Sequence, residues 1–261
     1  MADGELTVHT IARYGWVPDL PDARDHLYAA PMLGAAVLPT KADLRPNCPP
    51  VYDQGQLGSC TGNAIAGAVQ FERKKQGMAP DFAPSRLFIY YNERVIEGTV
   101  GTDSGAMIRD GIKSVATLGV CPETDYPYNI SKFTQKPTAK AFKDALHARA
   151  VSYSRVTRSL QQMNGCLAAG FPFVFGFSVY ESFESADVAK TGVVPMPAAN
   201  EKLLGGHAVL AVGYDDAQQR FFVRNSWGAG WGMQGYFSMP YSYLLDANLS
   251  DDFWTIRLIG A

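Results

Sequence analysis

Three short segments carry side chains able to do chemistry, and they lie far apart in the chain. The first is Asp53-Gln54-Gly55-Gln56-Leu57-Gly58-Ser59-Cys60-Thr61, in which a cysteine opens a stretch with helical spacing. At such a position unpaired backbone N–H groups and the positive end of the helix dipole favour a thiolate, the nucleophilic form. Gly58 and Ser59 before it are small enough for a substrate backbone to approach. The second segment, Gly205-Gly206-His207-Ala208-Val209-Leu210-Ala211-Val212-Gly213-Tyr214, sets a histidine at the start of a strand behind two glycines. The third, Arg224-Asn225-Ser226-Trp227-Gly228-Ala229-Gly230-Trp231-Gly232, places an asparagine among tryptophans and glycines. Taken singly, each has a structural reading, the commoner one for the cysteine and the histidine: a packed thiol, a strand histidine, a tight turn over a core. Together they supply a nucleophile, a base, an amide to orient the base and an oxyanion donor, which is the set that cysteine acyl transfer requires.

The elements that must position these groups change character along the chain. Residues 60–76 read as a helix, with Ile65, Ala68, Val69 and Glu72 in helical spacing, Arg73-Lys74-Lys75 in the last turn and Gly77 as the stop. Further helices are expected over 84–96, 104–118 and 138–148. After that come a strand over 150–156, a short helix over 159–169 and an aromatic-rich strand over 172–179. A hairpin of 207–214 with 220–224 turns at Asp215-Asp216-Ala217, and strands at 236–239 and 253–258 follow. A helical first half and a mostly antiparallel second half indicate two lobes of an α+β protein. The first 37 residues have neither period. Their prolines and the apolar Tyr14, Trp16, Leu27 and Tyr28 suggest an extended arm packed on the body.

Composition narrows the function. With 23 basic and 25 acidic side chains among 261 residues, the chain has no electrostatic footprint for nucleic acid or an anionic membrane. The longest apolar stretch, near 170–180, is far short of the ~18–20 residues of a membrane span. The acidic N-terminus lacks the basic start of an export signal. The four cysteines, Cys48, Cys60, Cys121 and Cys166, show no paired spacing, which points to free thiols in a reducing, cytoplasmic setting. Cys48, Cys121 and Cys166 are then packing residues. His9, His26 and His147 have no partners at metal-ligand spacing and read as surface or packing groups. No metal or cofactor is expected. The sequons at Asn129 and Asn248 carry little weight without an export signal.

From Leu38 onward the sequence resembles the papain-like (cathepsin-type) cysteine peptidases. The resemblance rests on Gln54 six positions before Cys60, on the Gly205–Val209 strand and on the Asn225–Gly232 block. Leu38-Pro39 with Asp43-Leu44-Arg45, and Tyr126-Pro127-Tyr128, match further family segments. His207 and Asn225 lie 147 and 165 residues after Cys60, the first within the family's spacing of about 130–150 and the second slightly beyond it. The resemblance implies a peptidase domain over 38–261, with a helical lobe mainly at 45–145 and an antiparallel β-barrel-like lobe mainly at 146–261. The cleft lies between them. It implies Cys60 as nucleophile, His207 as its base in a thiolate–imidazolium pair, Asn225 as orienter, Gln54 as oxyanion donor and Trp227 as a shield. Backbone contacts to a peptide substrate fall at Ser104 and Gly105, with Ala106, Met107 and Ala208 near the main specificity pocket. Leu57 and Thr61 replace the family's usual cysteine and tryptophan, so the disulfide framework is not expected. A transpeptidase or amidase, and a silent binding scaffold, are the competing functions. The arm of 1–37 is either a short inhibitory prosegment or a strap across the lobes.

Overall fold

The computed structural model describes residues 14–29 and 38–260. The helices are α1 (Cys60–Lys75), α2 (Arg86–Glu97), α3 (Ile108–Leu118), α4 (Ala139–Ala145), α5 (Leu160–Ala168), α6 (Ala186–Thr191) and α7 (Tyr241–Leu245). The strands are β1 (Lys41–Asp43), β2 (Arg149–Arg155), β3 (Phe173–Tyr180), β4 (Leu203–Asp215), β5 (Arg220–Arg224), β6 (Tyr236–Pro240) and β7 (Ser250–Gly260). Local chemistry sets many of the ends. Ser85 Oγ accepts from the Phe88 N–H at 3.1 Å to start α2, and Gly98, at φ 72°, ends it. Three cationic residues close α1 at the negative end of its dipole.

The strands form an antiparallel sheet in the order β2-β7-β3-β4-β5-β6, with β1 paired to β4. Its path does not close into a barrel. One buried cluster joins α1, α2 and α3 to one part of the sheet through Val174, Leu210, Val212, Trp254 and Ile256. A second is aromatic, built on Phe173, Phe175, Phe177, Phe221, Phe237 and Phe253 with α5 and α7. The helical core therefore borrows residues from strands well beyond 145, because α1 packs directly on β4 and β7.

Three differences from the sequence reading matter for the site. The helix expected over 104–118 begins at Ile108, because Ser104–Met107 is not helical. Gly105 sits there at φ 74°, a conformation closed to most side chains. The strand expected at 207–214 runs from Leu203 to Asp215, so the two glycines before His207 belong to the strand. The short helices α6 and α7 and the strand β1 were not anticipated at all. All four cysteines are free, with Cys48 half-buried and the others buried.

Candidate active site

Cys60 is the first residue of α1 and is fully buried. Backbone N–H groups of Ala208, Gly15 and Thr61 face its sulfur and favour the thiolate, yet burial outweighs them and pushes the thiol up to about 12. The Asp53–Ser59 loop that feeds the helix is pinned to the Asn225 block of the other lobe. Gln54 N–H donates to Ser226 O at 2.9 Å, and Gly228 N–H donates to Tyr52 O at 3.0 Å. The Gln54 side chain is oriented at both ends: Oε1 accepts from Ser226 Oγ at 2.6 Å, and Nε2 donates to Leu57 O at 3.0 Å. Tyr128 hydroxyl lies 2.5 Å from Ser59 Oγ and donates to Gln54 O at 2.9 Å, fixing the turn just ahead of the nucleophile.

His207 stands on β4 immediately before Ala208, whose N–H faces the Cys60 sulfur. Its Nε2 is 2.9 Å from Asn225 Oδ1, and the Ser226 N–H donates to the same oxygen at 2.9 Å. An amide oxygen only accepts, so Nε2 carries the proton and the neutral ring presents Nδ1 as its basic nitrogen. The imidazole is enclosed by aromatic rings: Trp227 at 5.2 Å between centroids, Phe177 at 5.7 Å and Phe183 at 6.5 Å. Such a wall excludes water from the His207–Asn225 hydrogen bond and strengthens it. Phe183 and Ser226 had no role in the sequence reading. Ser226 stood inside the quoted motif, and a hydroxyl beside the asparagine was the available signal.

The substrate-facing residues are placed unevenly. Ala106 is fully buried and its backbone is engaged by the arm, as described below. Gly105 is buried beside it and Ser104 is half-buried, with its hydroxyl turned to Gly105 O at 3.1 Å. Met107 caps α3, its N–H held by Glu97 Oε1 at 2.7 Å, and its side chain is half-buried. Ala208 is buried against the sulfur, and Trp227 belongs to the aromatic wall rather than to an open surface. Asp103, not anticipated, accepts from the Gly58 N–H at 3.1 Å and from the Tyr90 hydroxyl.

The arm runs through this cleft. Trp16 N–H donates to Gly206 O at 2.9 Å, Val17 N–H to Ala106 O at 3.0 Å, and Ala106 N–H to Gly15 O at 2.8 Å. Gly15 passes so near the nucleophile loop that a Cβ there would lie 1.8 Å from Gly58 O. The Tyr14 ring meets His207 edge-on at 6.1 Å and its hydroxyl donates to Glu184. Farther on, Asp25 pairs with Arg109 at 2.6 Å, and Tyr28 N–H donates to Arg155 O at 2.7 Å. The segment therefore covers the thiol and also crosses from the helical side to β2. Among the described residues no cluster of histidine, cysteine or carboxylate side chains is arranged to hold a metal. His26 and His147 are exposed, and His9 lies outside the described residues.

Comparison with known proteins agrees with this geometry. Residues 38–249 match the model of the papain family cysteine proteases. The chain belongs to that family. It is similar to an uncharacterized peptidase C1-like protein of Acanthamoeba polyphaga mimivirus, 43% identical over 97% of this chain and 89% of that one. Cysteine proteinase 1 of Entamoeba histolytica is 30% identical over 73% of this chain, which spans 59% of that relative. Among solved structures, xylellain, a cysteine protease from Xylella fastidiosa, superposes with a TM-score of 0.89 at 49% identity, covering 94% and 95% of the two chains. A digestive procathepsin L 3 from Tenebrio molitor larval midgut shares the fold, with a TM-score of 0.65 at 20% identity over 87% and 72%. This papain-family chain is thus a cysteine-protease hydrolase with a papain-like α+β fold. Among the described residues no helix is long and apolar enough to cross a membrane.

Proposed function

We propose that Cys60, His207, Asn225 and Gln54 hydrolyse peptide bonds, and that residues 14–29 hold the enzyme closed. The observation that carries the catalytic reading is the Nε2–Oδ1 hydrogen bond of 2.9 Å, which presents His207 Nδ1 as the base beside a helix-terminal thiol. His207 Nδ1 takes the Cys60 proton and the sulfur attacks the substrate carbonyl. The oxyanion accepts from the Cys60 N–H and from the Gln54 Nε2 hydrogen that Leu57 O does not use. Losing one such donor typically costs 10²–10³ in kcat. The imidazolium then protonates the departing amine, and water attacks the thioester to release the acid and restore the thiol.

In the covered form burial keeps Cys60 a thiol, since desolvation disfavours the anion. Departure of Gly15 and Tyr14 returns water to the sulfur and lets the ion pair form. The four free cysteines support a reducing, cytoplasmic setting. The test is labelling of the intact chain by an epoxide thiol-protease inhibitor, with Gly15→Ala to displace the arm and Cys60→Ala as control. Stoichiometric modification confined to Cys60 is expected in Gly15→Ala. Its absence in a folded Gly15→Ala chain refutes the catalytic reading.

A further inference from the structure

Trp16 follows the residue whose N–H faces the Cys60 sulfur, so its side chain enters the recess beside the nucleophile. That recess exists because two neighbouring strands lack side chains there. A Cβ on Gly176 of β3 would lie 1.9 Å from Trp16 Cε2, and one on Gly206 of β4 would lie 2.7 Å from Cε3. The indole therefore lies on bare backbone. Its Nε1–H donates to Asp252 Oδ2 at 3.1 Å. Asp252 is 1% exposed and sits at φ 59°, in the left-handed region that aspartate enters more readily than most side chains. The other carboxylate oxygen is held by Arg155 Nη2 at 2.9 Å.

We propose that this recess is a tryptophan-selective substrate pocket. The arm pairs in parallel with Ala106, so a peptide pairing there antiparallel runs in the opposite direction, and its tryptophan precedes the residue whose carbonyl Cys60 attacks. The proposal deepens the peptidase reading and rests on it. Leucine or valine would leave the flat glycine floor unfilled and withdraw one of the two donors to Asp252 Oδ2, which also accepts from the Asp19 N–H at 2.8 Å. Phenylalanine fills part of the floor but offers no N–H. An arginine or lysine would bring a second cation to a carboxylate that Arg155 already engages. A tyrosine is planar and carries one uncharged donor, but its single ring cannot cover both glycines, whereas the two-ring indole does so and still reaches Asp252.

The full-length Trp16→Ala chain, which empties the recess, is assayed on fluorogenic tetrapeptide amides varied at the position before the scissile residue. Gly15→Ala serves as an independently opened form, and epoxide labelling of Cys60 is scored in both. Tryptophan is expected to give at least tenfold higher kcat/KM than alanine, leucine or arginine there. Benzothienylalanine, which keeps the shape but replaces N–H by sulfur, is expected to lose roughly tenfold, the worth of one hydrogen bond to a buried charge. Adding Gly176→Val to Trp16→Ala should collapse the tryptophan-to-alanine ratio, with circular dichroism confirming the native fold. Labelling and cleavage without tryptophan preference, or with arginine preferred, overturns the pocket and leaves the peptidase intact. No labelling and no cleavage in both folded, opened chains overturns the peptidase reading, and the pocket falls with it.

Discussion

Gly15 offers the sharpest perturbation of the closed form, because its side-chain position is already occupied by protein backbone. A methyl group there would stand 1.8 Å from Gly58 O, whereas Cβ contacts below 3.0 Å essentially do not occur. In Gly15→Ala the strand must retreat by more than about 1 Å. The bonds at stake are Ala106 N–H to Gly15 O, Trp16 N–H to Gly206 O and Val17 N–H to Ala106 O, at 2.8, 2.9 and 3.0 Å. With each net bond worth about 1 kcal/mol, losing two or three weakens docking by about 2–3 kcal/mol, roughly 30- to 150-fold. The assay is the alkylation rate of each cysteine in the intact chain, read by peptide mass spectrometry under conditions where opening precedes reaction. Cys121 and Cys166 are buried in the two cores and report global unfolding. Cys60 should react 30- to 150-fold faster in Gly15→Ala while those two remain unchanged. A Cys60 rate within twofold of the parent, or a parallel rise at Cys121 and Cys166, refutes the docking geometry.

Asn225→Ala removes the acceptor for His207 Nε2; kcat of the opened enzyme should fall at least tenfold with little change in KM, and an equal loss confined to KM contradicts the orienting role. Arm docking should weaken as pH rises. Asp19 is buried beside the like charge of Asp252, and desolvation first, then that charge, raises it from 3.8 to about 7. A group raised in the docked state binds a proton on docking, so its contribution is full below about 4 and is lost as pH rises through about 7. Asp19→Asn keeps an amide oxygen as acceptor and removes the ionisation, so the ratio of parent to Asp19→Asn alkylation at Cys60 should climb between pH 4 and 7; a flat ratio contradicts the linkage. Gly119 at φ 76° ends α3 with its Cβ position 1.8 Å from Ala145 O, so Gly119→Ala should lower Tm by several degrees without exposing Cys60 selectively.

The parts of this protein that were legible in its sequence are those whose chemistry fixes residue type over a short span. A thiol at a helix start, a histidine on a strand and an asparagine beside tryptophan could be named because few other side chains perform those tasks. The long helices were legible from their period and their caps. The misplaced start of α3 has a physical cause: Ser104 is a residue of the N-cap type, but its hydroxyl turns to Gly105 O, and the positive φ of Gly105 was not readable without its neighbour. The short α6 did carry a signal, since Ser185 caps it through Val188 N–H at 3.2 Å and Gly192 ends it at φ 66°. With so few residues, the apolar period could not reinforce those caps.

What lay beyond sequence reasoning is the coupling of residues that share no local pattern. Asp252 follows Trp16 by 236 positions, and nothing near either residue announces their hydrogen bond. Gly176 and Gly206 read as ordinary strand glycines until an indole is seen lying on both. The same geometry joins closure to recognition. Three arm residues meet three working parts of the cleft: Tyr14 the histidine, Gly15 the sulfur and Trp16 the recess. A segment that satisfies all three must resemble a ligand in its side-chain chemistry. It need not be cut if its backbone runs parallel to Ala106, as the Trp16 pairing does, because the carbonyl is then carried past the sulfur in an orientation His207 does not serve. On this account the arm records which side chain the cleft prefers and withholds the geometry that the chemistry needs.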